Sequence, residues 1–415
     1  MIKYGTEPDS IQMGDTDLTY VDLFAGAGGL SVGLERAGFD LVHAVEVDAD
    51  ARASFANNRD NLEPEDLTQD IRDIDNQDVQ DVVGRDRVDL VAGGPPCQGF
   101  SEVVSPDGSD DRNHLFVNFI SWVNELNPKA ALFENVRGMQ NTADGKFLEA
   151  VQDSFDQMGY DVSHRIVKAS DFGVPQQRHR LLVLATEKSA TEHPFEGFEI
   201  DPVDTPGVID GIGDLPKVGP GEQITEYDAE PKTVIQEGLR GDTTELTHHQ
   251  AASHSEDMVE MIDHIPDGGN RTAIPDDLQP SSGYHNSYSR LDSQEPAVAI
   301  TSNMSKPSSA RCIHPFQNRG LTPREGARLQ TFPDSYRFEG GLVSVRQQIG
   351  NAVPPYLGEA VGYYLKQSVY QQELAEHEQE RIYKLRCGGM EIDEFEEQKA
   401  DIGGHAQQAT LDFAD

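Results

Sequence analysis

One cysteine stands in a context that could present its thiol for nucleophilic chemistry. Cys97 lies in GGPPCQGFS, directly after the apolar run VDLVAGG. A helix does not continue through two successive prolines, so we expect an exposed turn held stiff on its approach side. A thiol whose pKa is lowered attacks as the thiolate. A free cysteine is more often a small buried hydrophobic residue, but the prolines and the loop argue against burial.

A glutamate closes another strand-like segment, and two arginines stand where a further one begins. Glu134 closes KAALFENV, where a partly buried carboxyl group could stay protonated and donate to a ring nitrogen. Arg178 and Arg180 alternate in PQQRHRLLVLA, so both should face one side of a strand. A guanidinium group suits a carbonyl oxygen or a phosphate. Taken singly, each of these residues could be a surface charge.

A glycine-rich turn indicates a nucleotide site. DLFAGAGG places Gly26, Gly28 and Gly29 directly after a strand-like run, where small residues let a ligand approach the backbone. Glu46 ends the next run and could accept hydrogen bonds from two ribose hydroxyls. The dinucleotide fingerprint requires a third glycine where Ser31 stands, so a nucleoside without phosphates fits better. The alternative is a tight turn beside an unrelated carboxylate.

Alternating strand-like and helical segments should position these groups. They predict an α/β fold with a doubly wound, mostly parallel, Rossmann-like sheet, whose ligands bind at the carboxyl ends of the strands. Residues 1–186 form the first part of the predicted cofactor-binding catalytic domain, and residues 311–370 return to it. Residues 187–310, rich in proline, glycine and acids, predict a second, smaller, irregular domain. Residues 371–415 form an acidic extension, expected to be partly helical and then loose.

Composition restricts the class of protein. Three cysteines in 415 residues show no pattern for a structural zinc or a disulfide framework. With no signal-peptide pattern and no apolar run of about 18 residues, we expect a soluble, cytoplasmic protein. The formal net charge is −40, which by itself repels nucleic acid. Because the acids are spread along the chain, they suit a halophilic protein kept soluble in concentrated salt; an ordinary acidic protein is the alternative.

Six motifs, in order, resemble those of the DNA (cytosine-5) methyltransferases. The resemblance covers roughly residues 19–366, and the motifs read DLFAGAGGLSVGLERAGF, GGPPCQGFS, FENVRGM, PQQRHR, LTPREGARLQTFPDSYRF and QIGNAVPP. The resemblance implies methyl transfer from S-adenosyl-L-methionine to carbon 5 of a cytosine in a specific double-stranded DNA sequence. It implies that Cys97 adds to carbon 6 of a base flipped out of the duplex. Glu134 would hold or protonate ring nitrogen 3, and Arg180 would bind the ring carbonyl with Arg178 in support.

The same resemblance implies a set of cofactor contacts. Phe24 should pack against the adenine, and Asp70 should accept a hydrogen bond from its amino group. Asn351 and Val353 should close the methionine end of the site. The remaining predicted cofactor contacts are Gly26, Gly28, Gly29, Leu30, Glu46, Val47, Ile71 and Pro95.

DNA contacts are predicted partly from the resemblance and partly from local charge. The segment after Cys97 resembles the family's mobile catalytic loop, including its backbone-contacting arginine. Between residues 311 and 346 arginines outnumber acids, which favours phosphate contacts. Sequence recognition is assigned to residues 187–310, whose stretch YSRLDSQEPAVAIT resembles the family's recognition segment. The predicted DNA-contacting residues are Gln98, Ser101, Arg112, Arg319, Arg324 and Arg328.

Other functions and partners remain open from sequence alone. A tRNA-directed relative is disfavoured by the long irregular domain, and a catalytically silent DNA-binding protein by the intact Cys97, Glu134 and Arg180. The enzyme could act alone or beside a separately encoded restriction endonuclease, and we expect a monomer. The terminal QATLDFAD resembles a sliding-clamp-binding peptide, but Ala414 and Asp415 occupy positions where that pattern has aromatic residues.

Overall fold

A computed structural model of the chain describes residues 18–75, 78–96, 113–188, 190–191, 194–280 and 286–402. Several predictions fall outside these ranges. They concern the nucleophile Cys97, the DNA contacts Gln98, Ser101 and Arg112, and the terminal QATLDFAD segment.

A six-stranded sheet forms the centre of the described structure. The order of strands across it is β2-β1-β3-β4-β6-β5. All strands run parallel except β6, which is antiparallel to both of its neighbours. The predicted mostly parallel sheet is therefore confirmed. The strands are β1 (Leu18–Leu23), β2 (Phe39–Val45), β3 (Leu90–Gly93), β4 (Ala130–Val136), β5 (Tyr160–Lys168) and β6 (His179–Glu187).

Helices and short turns connect the strands and continue to the end of the described chain. The α-helices up to residue 263 are α1 (Gly29–Arg36), α2 (Ala49–Asn57), α3 (Val79–Val83), α4 (Asn113–Leu126), α5 (Lys146–Gln157), α6 (Val208–Ile212), α7 (Val234–Arg240) and α8 (Glu256–Asp263). Those that follow are α9 (Pro323–Leu329), α10 (Leu342–Asn351), α11 (Pro355–Ser368), α12 (Glu376–Arg386) and α13 (Ile392–Ile402). Short 3₁₀ segments are Pro64–Asp66, Ile71–Asp73, Arg137–Gly145, Ala169–Phe172 and Arg271–Ala273. A small parallel ladder joins β7 (Ser289–Arg290) to β8 (Arg311–Ile313).

The sheet is buried on both faces, as a doubly wound arrangement requires. Successive strand residues point to opposite sides, so Leu132 packs in one apolar cluster with α1 and α11. Phe133 packs in the other cluster with α4 and α5. Burial on both faces explains why the strands read as continuous apolar runs instead of alternating ones.

The segment after residue 340 packs against the first part of the chain. Helix α11 packs directly on α1, and the two helices approach closely where both carry glycine. A Cβ atom on Gly33 would overlap the backbone of Pro355 and Glu359, and one on Gly358 would lie 2.9 Å from the carbonyl oxygen of Leu30. Glycine at these positions lets the two helix backbones touch.

Residues 208–304 share a hydrophobic core with the two ends of the catalytic region. Val208, Ile212 and Met304 belong to one cluster together with Ala27 of the glycine-rich turn and Phe332 after α9. A separate recognition domain with a boundary near residue 187 stays a prediction, since this cluster spans both sides of it.

The C-terminal extension contributes two docked helices, α12 and α13. Arg381 of α12 forms a two-pronged contact with the buried Glu359 of α11, at 2.7 and 3.0 Å. Backbone hydrogen bonds join Val234 to Met390 and Ile392 to Lys232. The predicted partly helical character is confirmed for this portion. No helix in the described ranges combines the length and apolarity that a membrane span requires.

Candidate active site

Glu134 and Arg180 form an ion pair at the carboxyl edge of the sheet. The antiparallel register of β4 and β6 places Val136 opposite Arg180, so the end of one strand meets the start of the other. Nε of Arg180 lies 2.7 Å from Oε1 of Glu134. Burial raises the pKa of Glu134, although the Arg180 and Arg178 guanidinium groups oppose that effect. A carboxyl group with a raised pKa is suited to retain a proton and donate it.

The chain that leads to Cys97 runs beside this glutamate. Strand β3 ends at Gly93, which pairs with Phe133, so Glu134 lies just past the end of the neighbouring strand. A Cβ atom on Gly94 would lie 3.1 Å from Oε2 of Glu134. The described chain stops at residue 96. The structure therefore brings the glutamate next to the segment three residues before the cysteine, whose own position lies outside the described residues.

Asn135 is a functional candidate that sequence reasoning left without a role. Its side-chain amide donates a hydrogen bond to the carbonyl oxygen of Pro95 at 2.8 Å, and its Oδ1 accepts from the backbone amide of Val136. Asn135 is buried. The contact ties the segment before Cys97 to β4, and the signal for it was an amide directly after Glu134 at a strand end.

Arg178 is buried close to the Glu134–Arg180 ion pair. Only 2% of Arg178 is exposed. Its Nη1 donates to the carbonyl oxygen of Ile300 at 3.0 Å and its Nη2 to that of Gly350 at 2.9 Å. Burial, together with the neighbouring Arg180, lowers the pKa of Arg178. The supporting role of Arg178 beside Arg180 stays a prediction, and the structure adds that its guanidinium group is held by main-chain carbonyl groups.

Gln176, like Arg178, joins the start of β6 to the segment near Ile300. Its role was not recognised from the sequence. It is fully buried, and its amide nitrogen donates to the carbonyl oxygen of Leu329 at 3.0 Å and to Oε1 of Gln330 at 2.9 Å. Its Oε1 accepts from the backbone amide of Ile300 at 2.7 Å. The paired glutamines of PQQRHR were the available signal. Their partners are too distant in sequence to be inferred.

The glycine-rich turn offers open space at one of its three glycines. Gly26 has a φ of 57°, a left-handed conformation that favours glycine, and no atom lies within 4 Å of where its Cβ would be. Its amide donates to Oε2 of Glu46 at 2.8 Å, and Oε1 of Glu46 accepts from the amide of Asp48 at 2.8 Å. Burial raises the pKa of Glu46. The carboxylate is thus held at the turn and keeps lone pairs for further hydroxyl donors.

The other two glycines are required by packing. A Cβ atom on Gly28 would lie 2.8 Å from the ring of Phe55, and one on Gly29 would overlap the carbonyl group of Val353. Leu30 is also buried, in the cluster around α1 and α11. Any cofactor contact by Gly28, Gly29 or Leu30 is therefore restricted to backbone groups.

The remaining predicted cofactor residues differ in accessibility. Phe24, Asp70 and Val353 are partly exposed, Val47 and Asn351 are exposed, and Ile71 and Pro95 are buried. The carboxylate of Asp70 already binds its neighbour, because Nη2 of Arg72 lies 2.6 Å from its Oδ2. Hydrogen bonds from the Arg72 side chain hold the pKa of Asp70 below its usual range. An adenine amino group would share this carboxylate with Arg72.

A buried acid behind the turn was not singled out from sequence. Asp22 of β1 is 1% exposed and accepts a hydrogen bond from the Ser31 hydroxyl at 2.5 Å. Burial raises the pKa of Asp22 to about 7. The contact links β1 to α1 on either side of the turn, so it helps to fix the geometry of the nucleotide end.

The three arginines predicted to contact DNA after residue 311 are buried, which corrects that prediction. Arg319 is 2% exposed, and Arg324 and Arg328 are fully buried. Arg319 forms an internal ion pair with Glu325, with nitrogen–oxygen distances of 2.7 and 2.8 Å. Buried guanidinium groups of this kind are paired within the protein and do not face a phosphate backbone.

Arg324 and Arg328 are satisfied by internal partners as well. Arg324 donates to the carbonyl and hydroxyl oxygens of Thr247 at 3.0 and 2.7 Å. Arg328 binds the carboxylates of Asp214 and Asp334, both of which are buried. The arginine-rich motif thus joins the irregular region to the catalytic region from inside.

The fold and site together define an α/β protein with a glycine-rich turn at one strand end and a glutamate–arginine pair at another. The family model for C-5 cytosine-specific DNA methylases matches residues 18–367, and the chain belongs to that family. These are S-adenosylmethionine-dependent enzymes that transfer a methyl group to carbon 5 of cytosine.

Several characterised proteins are similar over most of their length. Type II methyltransferase M1.HphI of Haemophilus parahaemolyticus is 36% identical, covering 83% of this chain and 85% of the relative. Type II methyltransferase M.DdeI of Desulfomicrobium norvegicum is 32% identical, covering 83% of this chain and 87% of the relative. Among solved structures, a protein of an Escherichia coli prophage described as a DNA modification methyltransferase has a TM-score of 0.70 at 29% identity, over 85% of this chain and 99% of that one.

Proposed function

We propose that this protein methylates cytosine within a specific double-stranded DNA sequence through a covalent adduct between Cys97 and a flipped base. The observation that carries the proposal is the ion pair between Arg180 and the buried Glu134, at 2.7 Å, directly beside the chain that leads to Cys97. Six ordered motifs and the family match over residues 18–367 support the assignment of these residues.

In the proposed reaction, the Cys97 thiolate bonds to carbon 6 of the cytosine ring. Carbon 5 then gains electron density and becomes a nucleophile. Glu134 holds a proton at ring nitrogen 3, and Arg180 donates a hydrogen bond to the ring carbonyl, so the charge that develops on the ring is stabilised. Carbon 5 would then take the methyl group from the bound donor, whose sulfur–methyl bond breaks so that S-adenosylhomocysteine leaves. A base removes the proton at carbon 5, the bond between the sulfur of Cys97 and carbon 6 breaks, and the thiolate is released.

Residues of the glycine-rich turn fit S-adenosylmethionine, which supplies the electrophilic methyl group when it is bound. Gly26 leaves open space at the turn, and Glu46 is fixed there by two backbone amides with lone pairs still available. Phe24 would pack against the adenine and Asp70 would accept from its amino group. Asn351 and Val353 would close the methionine end.

Replacing the nucleophile tests the proposal. Cys97→Ser should abolish transfer of labelled methyl from S-adenosylmethionine to DNA while binding of the cofactor, measured by calorimetry, is kept. Cys387→Ala is the matched control, because that thiol is fully buried next to α12 and its loss should leave turnover per folded molecule unchanged. Full turnover by Cys97→Ser would refute the covalent mechanism. Parallel reactions with RNA, and with no nucleic acid, separate a DNA enzyme from an RNA-directed one.

We further propose the biological setting that the type II relatives suggest. The enzyme would modify sites within a restriction–modification system, beside a separately encoded endonuclease, as a cytoplasmic monomer. The evenly acidic composition would keep it soluble in a salt-rich cytoplasm. Binding of a sliding clamp by the terminal QATLDFAD remains a weaker proposal, and recovery of clamp by a chain that lacks this segment would dismiss it.

A further inference from the structure

The loop between β5 and β6 leads directly into the strand that carries Arg180. It consists of residues 169–178, with Arg178 as its last residue. A hydrogen bond from the amide of Ala169 to the carbonyl oxygen of Arg178, at 2.8 Å, closes its base. Hydrogen bonds of Gln176 and Arg178 tie it to other parts of the catalytic region. A shift of this loop would therefore move the start of β6, where Arg180 stands.

The C-terminal extension contacts this loop through its main chain. Gly173 of the loop has a φ of 75°, a left-handed conformation that favours glycine, and a Cβ atom there would overlap the carbonyl group of Leu385. A Cβ atom on Gly388 would lie 3.7 Å from the carbonyl oxygen of Gly173 and 3.2 Å from Cγ of Pro206. The loop thus rests on residues 385–388, the support turn at the end of α12.

Backbone hydrogen bonds anchor the support turn to the irregular region. The carbonyl oxygen of Arg386 accepts from the amides of Val203 and Asp204, at 2.9 and 3.0 Å. The carbonyl oxygen of Gly388 accepts from the amide of Ile235 at 3.1 Å. The ion pair between α12 and α11 fixes the helix that precedes the turn. Because these contacts hold the turn in place, the loop that rests on it is held as well.

The support turn lies outside residues 18–367, the part of the chain that the family model matches. A misplacement of the order of 1 Å in a group that must meet the reacting atoms can lower a rate about 100-fold. We propose that α12 and the support turn are a positioning element for methyl transfer, which holds the loop of residues 169–178 so that Arg180 stays aligned with Glu134. The inference rests on the proposed function, in which Arg180 binds the ring carbonyl.

Two neighbouring glycines of the extension supply a variant and its matched control. In the full chain, the side chain of Gly388→Val would meet Pro206 and the loop, whereas that of Gly389→Val would meet the carboxylate of Asp204, which is exposed and can move away. Neither glycine has a φ in the left-handed region, so the backbone accepts valine at both positions.

The rate of methyl transfer to unmethylated plasmid DNA is measured with saturating, labelled S-adenosylmethionine. Gly388→Val should lower kcat roughly tenfold or more, and Gly389→Val should leave it within about twofold of the unaltered protein. Gly388→Ala adds a single methyl group and should give an intermediate rate, so it carries the test if the valine variant does not fold. Circular dichroism corrects each rate to the folded fraction, and calorimetry should show unchanged binding of S-adenosylmethionine.

A second background shows whether the effect passes through Arg180. Substitutions that act on the same interaction are not additive. In a chain that already carries Arg180→Lys, Gly388→Val should therefore lower the remaining kcat by less than about twofold.

The outcomes separate the inference from the proposed function. An unchanged kcat in Gly388→Val, equal losses in the Gly388 and Gly389 variants, or an undiminished loss in the Arg180→Lys background would each overturn the inference. In all three cases the proposed function stands, because the unaltered protein still methylates DNA. If the unaltered protein transfers no methyl group to DNA, the proposed function fails and the inference falls with it.

Discussion

The sequence and the structure assign different roles to Arg328, and a substitution at this residue distinguishes the two roles. From sequence it is a phosphate contact, whereas the structure places it, fully buried, between two carboxylates. Its Nε and Nη2 bind Asp334 at 2.7 and 2.6 Å, and its Nη1 and Nη2 bind Asp214 at 2.8 and 3.1 Å. The structural interpretation predicts that Arg328→Met destabilises the protein and leaves the salt dependence of DNA binding unchanged.

The magnitude follows from what the substitution leaves behind. Burial raises the pKa of Asp334, but Arg328 and the nearby Arg324 hold it below its usual value. Removing one partner of a buried ion pair costs about 3–5 kcal/mol, and Arg328→Met leaves two buried acids, Asp214 and Asp334, without their principal cation. We expect Arg328→Met to lower the free energy of unfolding by an amount near the upper end of that range. It is a large fraction of the 5–15 kcal/mol that typically stabilises a folded protein.

Urea unfolding followed by circular dichroism measures this loss. Arg337→Met is the matched control, since Arg337 pairs with Glu245 in solvent, with about half of each side chain exposed. An exposed pair contributes about 0–1 kcal/mol, so the control should unfold almost like the unaltered protein. Suppose instead that Arg328→Met has the same free energy of unfolding as the unaltered protein, and that the slope of its log K for DNA against log salt concentration is smaller in magnitude by about one. The internal role assigned to Arg328 would then be wrong.

Two further predictions concern buried carboxyl groups. Glu134→Gln should lower kcat roughly 10²- to 10⁴-fold without affecting cofactor binding. Because the pKa of Glu134 is raised, the carboxyl group of the unaltered enzyme should stay protonated to a higher pH than that of an exposed glutamate. Coinciding pH profiles of kcat for the variant and the unaltered enzyme would contradict this. Asp22, with its pKa raised to about 7, favours folding when protonated, so stability should fall as pH rises from about 4 to about 7. Asp22→Asn should remove this fall. Between pH 5 and pH 8 the free energy of unfolding of the variant, measured in urea, should therefore rise by up to about 3 kcal/mol relative to that of the unaltered protein. Parallel pH dependences of the two proteins would count against this interpretation.

Sequence reasoning located strands correctly where a short apolar run ends at a glycine or an acid. Short apolar runs followed by glycine or an acid predict strands that deliver side chains to one edge, and Glu46 and Glu134 lie at such ends. The local pattern of TPRE likewise predicts the start of α9, where Thr322 and Glu325 cap each other. These features are determined within a few residues, and so they can be recognised without knowing the tertiary structure.

The meeting of Arg180 with Glu134 depended on a feature that the sequence did not show. Arg180 lies near the beginning of its strand and Glu134 near the end of another. In a fully parallel sheet those positions would be at opposite edges. They meet because β6 alone runs antiparallel, which brings its first residues to the carboxyl edge. The prediction that the groups converge therefore relied on the family resemblance, and the reversed strand is its physical reason.

The buried arginines show what a local charge count cannot reveal. Every residue of α9 is buried, so the helix has no solvent face on which Arg324 or Arg328 could remain. Such a helix keeps its charges only if buried partners neutralise them. Arg328 has one partner within the motif, Asp334, and a second one, Asp214, 114 residues away. No window of sequence around the motif contains that partner.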